Sequence, residues 1–288
     1  MLTKPDTEMN KIRPLNYQNI YILISILILL VVIFPVFWIV VTSLKTEQEI
    51  FAFPPTIFPK VINIDSYRAQ IGQGDFNMFR SFANSLVISF GALCISVLLS
   101  VPASYGIARF PFKGKNIILL VFLVTQMLPV SVLLTPMFIM FRNMKLLNTP
   151  LSVIIADATI GIPFSILILK NYFSSIPGEI QEAATIDGCS SFGAFLRIMI
   201  PVAMPGIIVC GVFSFLYAWG DLAYGMTFIQ DQINRPITAG IFNFMGQYGT
   251  RWSYITAFAV VTIIPVALIF IFMQKYIISG LTSGAVKG

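Results

Sequence analysis

The residue types that usually perform catalysis or bind metals are scarce in this chain. Its 288 residues include no histidine, and its three cysteines are far apart in sequence: Cys94, Cys189 and Cys210. Common metal-ligand spacings and CxxC redox pairs are therefore missing. The Gly114–Lys115 pair comes nearest to a phosphate-binding loop, but Arg109 stands where the GxxxxGK pattern requires its first glycine. The sequence thus predicts no catalytic residue and no ATPase site in this chain.

One acidic side chain, Asp157, lies inside a long apolar run. If that run is helical, Asp157 lies seven residues after Pro150, which places its carboxylate about 10 Å from the end of the helix. An ionisable group in such surroundings is a candidate functional residue, because burying its charge in lipid costs several kcal/mol. A carboxylate that water or an internal hydrogen bond satisfies at a subunit interface is an equally good interpretation.

The elements that must position these residues are membrane helices. Apolar residues make up 57% of the chain and charged residues 10%, against about 25% charged residues in an ordinary soluble domain, so a soluble enzyme is excluded. A charge-free run of more than about 18 residues is long enough to cross a membrane as a helix. Six runs qualify, the fourth being interrupted only by Asp157: 14–44, 81–108, 116–141, 146–169, 198–220 and 252–274. The sequence predicts an all-α polytopic membrane protein with six transmembrane helices, of which the first is a retained helix rather than a signal peptide.

The basic residues favour cytoplasmic termini. Six spans put both termini on one side, together with the short loop 109–115. That loop carries more weight than the long loop 45–80 on the other side. The net charge of +6 could suggest nucleic acid, but there is no dense basic tract, so no nucleic-acid partner is expected. Of the 18 Lys and Arg residues, 10 fall on the side of the termini: Lys4, Lys11, Arg13, Arg109, Lys113, Lys115, Lys170, Arg197, Lys275 and Lys287.

Every predicted span contains proline. Each proline removes a backbone hydrogen bond and favours a kink that neighbouring helices or water must compensate. Membrane helices tolerate single prolines, but prolines in all six spans favour bent helices around a pathway. The residues are Pro35, Pro102, Pro129 with Pro136, Pro163, Pro205 and Pro265.

The loop between the fourth and fifth spans predicts two short helices. Pro177 suits the first turn of a helix, and Gly188 is a natural end for it. After Gly188, either Ser190 or Ser191 can cap a second helix that continues through Pro201 into the fifth span.

The first of these helices has a small apolar face. Ile176, Ile180 and Ala184 fall on one stripe at a spacing of four, while Glu179 and Glu182 face elsewhere. Such a face suits docking into a cleft of another protein, because alanine allows close backbone approach. An amphipathic helix on the lipid surface is the alternative, although it would normally carry bulkier apolar residues and more Lys or Arg.

This loop resembles the EAA loop of permease subunits of binding-protein-dependent ABC importers. Cys189 stands where a third small residue is usual, and Ile200 replaces the usual leucine, but both changes conserve size or apolarity. The resemblance covers about residues 20–288 and implies the type I ABC importer permease fold. Its motif is formed by Glu182, Ala183, Ala184, Asp187, Gly188, Ile198 and Pro201.

The resemblance also implies a mechanism and a set of partners. In the family, the EAA helix inserts into a cleft on a separate ATPase subunit, and ATP-driven dimerisation of two ATPases moves two permease subunits from inward-facing to outward-facing. Residues 182–188 would form that contact. The implied partners are a second permease subunit in a heterodimer, two ATPase subunits that use ATP and Mg, an extracytoplasmic solute-binding protein and membrane lipid. This chain itself would bind no cofactor.

The resemblance gives the expected organisation of the chain in the cell (inner) membrane. A cytoplasmic tail at 1–19 is followed by a permease domain at 20–279 that contains the coupling loop 173–201, and a cytoplasmic tail follows at 280–288. The segment 226–252 on the external side is a candidate contact for the solute-binding protein, or a mere connector.

Three segments resemble the carbohydrate branch of that family, in particular the smaller, six-span type of inner-membrane maltose permease. They are 105–110, 218–221 and the C-terminal 280–288. The resemblance implies import of a sugar, in particular an oligosaccharide. An ABC permease for a non-sugar solute remains an alternative. An ion-coupled secondary carrier would normally show several intramembrane acids, whereas this sequence has one.

Candidate residues for the sugar path lie near the end of the fifth span. Three aromatic residues could stack on sugar faces close to Asp221, with Asp157 on the neighbouring span: Tyr217, Trp219 and Tyr224. The alternative is that these aromatic residues are interfacial anchors, which is the commoner role of Trp and Tyr near the end of a span.

Overall fold

The fold is almost entirely helical, and the prediction of an all-α fold is confirmed. The computed structural model describes residues 17–71, 77–246 and 249–285. The shorter elements are 3-10 turns at Gln232–Asn234 and Ile241–Phe244, a π-helical turn at Phe195–Met199, and a hairpin of β1 (Met245–Gly246) and β2 (Gly249–Thr250). The α-helices are α1 (Tyr17–Ser43), α2 (Glu47–Ile50), α3 (Asp65–Ile71), α4 (Met78–Arg109), α5 (Lys115–Gln126), α6 (Val130–Asn143), α7 (Pro150–Ser175), α8 (Gly178–Ile186), α9 (Ser191–Ala194), α10 (Ile200–Gly220), α11 (Ala223–Phe228), α12 (Ile237–Gly240) and α13 (Trp252–Ala285).

The third predicted span is broken in two. Among the described residues, five segments are long and apolar enough to cross a membrane alone, namely α1, α4, α7, the continuous segment Ser191–Gly220 and α13. Helices α5 and α6 instead meet at an angle of 99°. The run 116–141, predicted to be the third span, therefore forms two helices rather than one. Pro129 lies at the break, and proline both lacks an N–H and disfavours helical backbone at the residue before it.

The bent pair still crosses the membrane once. Helices α4 and α7 run in the same direction, because Arg109 at the end of α4 hydrogen-bonds to Ile176 at the end of α7. Their other ends also lie together, since Asn84 near the start of α4 and Asn148 just before α7 both bond to the segment 228–235. The chain that leaves α4 must therefore return across the membrane through α5 and α6 before α7 begins. This gives the six predicted spans and puts both ends of the described chain on one side, called here the terminal side.

The remaining prolines predicted to bend the spans lie inside continuous helices. The prediction of a bent helix is thus confirmed at Pro129, whereas the other helices continue through their prolines, where neighbouring helices can compensate the lost hydrogen bonds. These residues are Pro35, Pro102, Pro136, Pro163, Pro205 and Pro265.

The core is a bundle of α4, α7 and α10. Gly161 of α7 lies where the three helices meet: a Cβ atom there would come 2.5 Å from Oγ of Ser96 on α4 and 2.9 Å from Oγ of Ser214 on α10. Small residues let membrane helices approach closely. Buried serines recur at nearly every turn of α4, at Ser81, Ser85, Ser89, Ser96, Ser100 and Ser104.

The two outer spans, α1 and α13, pack against each other. On the side opposite the termini, Oε1 of Glu47 accepts hydrogen bonds from the backbone N–H of Ser253 at 2.9 Å and from its hydroxyl at 2.8 Å. This carboxylate satisfies a free N–H at the start of α13 and ties the loop after α1 to that helix.

The predicted tails correspond only partly to the helix boundaries. Helix α1 begins at Tyr17, three residues before the expected start of the permease domain at residue 20, and residues 1–16 lie outside the described part of the chain. Helix α13 continues to Ala285, so the first part of the segment 280–288 is helical, and residues 286–288 lie outside the described part of the chain.

Candidate functional site

The coupling loop folds as two short helices, as its sequence predicts. Helix α8 ends in a Schellman motif, in which the N–H of Gly188 donates to the carbonyl of Thr185 at 3.1 Å and the N–H of Cys189 donates to the carbonyl of Ala184 at 2.9 Å. Gly188 has φ +85°, a conformation that L residues with a Cβ rarely adopt. The predicted role of Gly188 as the end of this helix is therefore confirmed.

Ser190 caps the second helix. Its hydroxyl accepts a hydrogen bond from the N–H of Gly193 at 3.1 Å, which satisfies one of the free donors at the start of α9. The chain then makes a π-helical turn at Phe195–Met199, and the N–H of Ile200 donates to the carbonyl of Phe195. Pro201 follows, and since it has no N–H to continue the regular pattern, the wider turn fits this position.

The surface that α8 presents outward differs from the predicted stripe. Ile176 and Ala184 are buried in the protein's own fold, with 7% and 3% of their surface exposed. The prediction that this stripe forms one outward face is therefore wrong for Ile176 and Ala184, and only Ile180 of the stripe is exposed. The outward apolar side chains are Ile180 and Ile186, the latter 86% exposed.

The other motif residues at the end of α8 are exposed to solvent. Glu182, Ala183, Asp187 and Gly188 are all exposed, and the structure brings them together with Ile186 at the end of α8. We call this set, residues 182–188 without the buried Ala184, the coupling surface. It combines acidic, small and apolar groups on a rigid, capped helix on the terminal side.

Aromatic packing joins the coupling loop to the helix bundle. The ring of Tyr105 near the end of α4 lies 5.6 Å from that of Phe173 on α7 and 4.7 Å from that of Phe195 after α9. Arg109, one turn further along α4, donates from Nη2 to the carbonyl oxygen of Ile176 at 2.6 Å. Sequence reasoning missed this role of Arg109, although its place at the end of a span was visible.

A cavity of about 330 Å³ lies beside this junction, between the end of α4 and the start of α9. Its walls are almost entirely apolar and include Gly106, Phe110 and Phe192. A Cβ atom at Gly106 would meet nothing within 4 Å, so the cavity has room for a larger side chain at that position.

Asp157 lies in the interior, between α7 and α10. It is 2% exposed, and neither of its carboxylate oxygens has a hydrogen-bond partner among the described residues. Its electrostatic neighbours are Tyr217, Asp221 and Tyr224. Asp157 and Tyr217 therefore lie close enough to interact electrostatically.

Two of the other candidates for a sugar path have structural partners. Trp219 is 2% exposed and donates its indole N–H to the carbonyl of Thr262 at 3.1 Å. Asp221 accepts hydrogen bonds from the backbone N–H groups of Tyr224 at 3.3 Å and Gly225 at 2.9 Å, which caps the start of α11. Through these contacts, Trp219 joins the end of α10 to α13, and Asp221 stabilises the start of α11.

Tyr217 instead belongs to a half-buried aromatic row. The ring of Phe213 stacks at 3.7 Å on Phe164 of α7 and lies 6.3 Å from the ring of Tyr217. One turn before Phe164, the carbonyl of Ile160 accepts a hydrogen bond at 2.8 Å from Gln126, which ends α5 at the broken span. Sequence reasoning missed Gln126, although an amide beside Pro129 in an apolar run is a visible signal.

Permease proteins of named transport systems are similar in sequence to this chain over most of its length. The sulfoquinovosyl glycerol transport system permease protein SmoH of Agrobacterium fabrum is 33% identical over 89% of this chain and 89% of its own length. The arabinooligosaccharides transport system permease protein AraQ of Bacillus subtilis is 30% identical over 94% of this chain and 96% of its own.

A solved structure has the same fold at lower sequence identity. A chain of a bacterial ABC transporter involved in the import of the acidic polysaccharide alginate superposes with a TM-score of 0.77 at 19% identity, over 95% of this chain and 99% of that one. This match supports the type I ABC importer permease fold, with the coupling surface on one side of six spans. The sequence model of binding-protein-dependent transport system inner membrane components matches residues 97–283, and the chain belongs to that family of multi-pass membrane permeases.

Proposed function

We propose that this permease couples to a separate ATPase through the coupling surface and imports a sugar. The observation that carries the coupling role is the exposure of Glu182, Ile186 and Asp187 on a capped helix that is fixed to the bundle. An apolar side chain that is 86% exposed beyond the ends of the spans suits burial in a partner protein. ATP and Mg would be used by that partner, and this chain would bind no cofactor.

The orientation and the partners follow from this role. The coupling surface lies on the terminal side, so an ATPase in the cytoplasm requires both termini to be cytoplasmic. The family is binding-protein-dependent, which supports an extracytoplasmic solute-binding protein as a further partner. A second permease subunit would complete the pathway, and each permease would contact one of two ATPase subunits. The division into a permease domain at 20–279 with flanking tails stays part of this proposal.

The substrate class is argued from the relatives and from the interior. SmoH and AraQ are named for sulfoquinovosyl glycerol and arabinooligosaccharides, both of which contain sugar units. The aromatic row that ends at Tyr217 offers faces on which sugar rings can stack. Asp157, whose carboxylate oxygens have no hydrogen-bond partner among the described residues, would contribute an acceptor for hydroxyl groups, while Trp219 and Asp221 support the same end of the path.

Replacing Ile186 by lysine is expected to weaken ATPase binding by about tenfold or more, because burying an apolar side chain of this size contributes about 1.5–3 kcal/mol and a buried unpaired charge adds a cost. The measurement is the amount of ATPase that copurifies with the permease from detergent extracts.

The matched control is Ile57→Lys, the same change at an exposed isoleucine (61%) on the opposite side of the membrane. It should leave copurification unchanged. Undiminished ATPase binding by Ile186→Lys would contradict the coupling role, and a wild-type protein that binds no ATPase but responds to an ion gradient would favour a secondary carrier.

Replacing Asp157 by asparagine is expected to lower sugar uptake by about tenfold, the effect of losing about 1.4 kcal/mol of interaction with the cargo. Uptake is measured in proteoliposomes, and assembly is checked by copurification of the partner subunits. Asp65→Asn, at an exposed acid outside the spans, is the control and should transport normally. Unchanged uptake kinetics in Asp157→Asn would remove this residue from the path.

A further inference from the structure

We propose that Arg109 is a positioning residue that makes the coupling helix α8 move together with the helix bundle. Its guanidinium links the last residue of α4 to the residue between α7 and α8. The proposal rests on the coupling role given above, and it adds the element that would transmit the movement of α8 to the spans.

The hydrogen bond lies at the hinge of the coupling helix. Nη2 of Arg109 is 2.6 Å from the carbonyl oxygen of Ile176, although the two residues are 67 positions apart in sequence. Ile176 and Pro177 both have extended backbone, with ψ 127° and 138°, and they alone separate α7 from α8. A two-residue extended link lets a helix swing, so a fixed carbonyl at its first residue restricts that motion.

Electrostatics favour an arginine at this point. Helices α4 and α7 run in parallel, so their C-terminal ends, each with a partial negative charge, lie side by side on the terminal side. Arg109 is the last residue of α4 and binds the carbonyl just beyond the end of α7. A guanidinium is always charged, and hydrogen bonds from it are short and about twice as strong as neutral ones. One side chain thus neutralises two helix ends and joins them.

The surrounding packing makes the joined parts one unit. Tyr105 contacts rings on both sides of α8 in sequence, Phe173 before it and Phe195 after it. The side chain of Ile176 is buried in the same cluster. Helix α8 itself has exposed side chains along most of its length, so its link to α4 depends on the two ends of the loop. Arg109 provides the polar part of that link at the first end.

The test uses the complete transporter in proteoliposomes, with its partner permease, ATPase and solute-binding protein. Three variants are compared with wild type: Arg109→Gln, Arg109→Lys and the control Lys113→Gln, which removes a positive charge from an exposed position in the same loop. Sugar uptake and ATP hydrolysis are measured on the same vesicles, and ATPase copurification is measured separately.

We expect Arg109→Gln to lower the number of sugars imported per ATP by about tenfold, while ATPase copurification stays at the wild-type level. Arg109→Lys keeps one charged donor and should recover part of the ratio, and Lys113→Gln should leave it unchanged. An unchanged ratio of sugars imported per ATP in Arg109→Gln overturns the proposal. So does a fall in uptake and in ATP hydrolysis that is proportional to a loss of folded protein. A wild-type transporter whose uptake does not depend on ATP hydrolysis would instead overturn the coupling role itself.

Discussion

Replacing Gly188 by valine is expected to abolish transport, whereas replacing it by asparagine should retain most of it. Gly188 has φ +85°, and a Cβ atom added there would meet nothing within 4 Å. Within this chain, the effect of a substitution therefore comes from the backbone conformation and not from a steric clash, and the asparagine variant controls for the added side chain at the partner surface. This makes the position a clean test of the loop geometry that presents the coupling surface.

The expected size follows from the cost of the left-handed conformation. For an L residue this conformation costs about 1–2 kcal/mol, and a β-branched side chain makes it a genuine outlier. A cost of about 2 kcal/mol reduces the population of the native loop about thirtyfold relative to alternatives. Asparagine tolerates the same conformation, so Gly188→Asn should preserve the Schellman motif.

The measurements are sugar uptake by the reconstituted transporter and ATPase copurification, and both should fall for Gly188→Val. Gly106→Val is the matched control, because Gly106 lies on the same side of the membrane, faces the cavity beside α9 and has no heavy atom within 4 Å of an added Cβ. Normal transport by Gly188→Val, or equal losses in the valine and asparagine variants, would contradict the role of the left-handed turn.

Much of the architecture could be predicted because membrane burial follows directly from charge spacing. Five of the six predicted runs contain a single long helix, and the ends of α8 follow from Pro177 and Gly188. These features are local: a span needs about 20 apolar residues, and a helix end needs a proline, a capping side chain or a glycine close in sequence.

The features that sequence reasoning missed depend on contacts between distant segments. The direction of the stripe with Ile176 and Ala184 could not be read from spacing, because a helical period shows that a face is apolar but not which neighbour covers it. The sequence predicts a kink at every span proline, but which proline breaks a helix depends on the neighbouring segments, since the span prolines other than Pro129 lie within continuous helices. The link from Arg109 to Ile176 joins residues far apart in sequence and needed the fold to be seen.

For the candidate sugar path too, sequence position alone could not show which side chains are buried in the protein and which face the path. Sequence position alone placed Trp219 and Tyr217 in one group, two residues apart near the end of α10. In a helix, residues two apart do not share a face. The structure accordingly buries Trp219 against α13, with its N–H on the carbonyl of Thr262, and leaves Tyr217 half-buried in the aromatic row.

Replacing Gly161 by alanine is expected to destabilise the helix bundle by about 1–3 kcal/mol, the usual cost of overpacking a core. The added methyl would lie 2.5 Å from Oγ of Ser96, 2.9 Å from Oγ of Ser214 and 3.3 Å from Cβ of Ser96. Both Oγ atoms would have to leave their positions, and the Cβ atom of Ser96 can move only with the backbone of α4. The strain therefore falls on the packing of three helices at once.

The measurement is the midpoint of thermal unfolding of the purified protein in detergent, which should fall by several degrees for Gly161→Ala. Gly211→Ala on α10 is the matched control, because a Cβ atom there lies 3.5 Å or more from its neighbours, which is ordinary contact distance.

The double variant Gly161→Ala with Ser96→Ala removes the nearest clashing atom. If steric crowding is the cause, the double variant should be more stable than Gly161→Ala alone, and this favourable coupling is what a double-mutant cycle detects. Equal unfolding midpoints for Gly161→Ala and Gly211→Ala would instead mean that α4, α7 and α10 separate at little cost, and the close packing at Gly161 would not hold the bundle together.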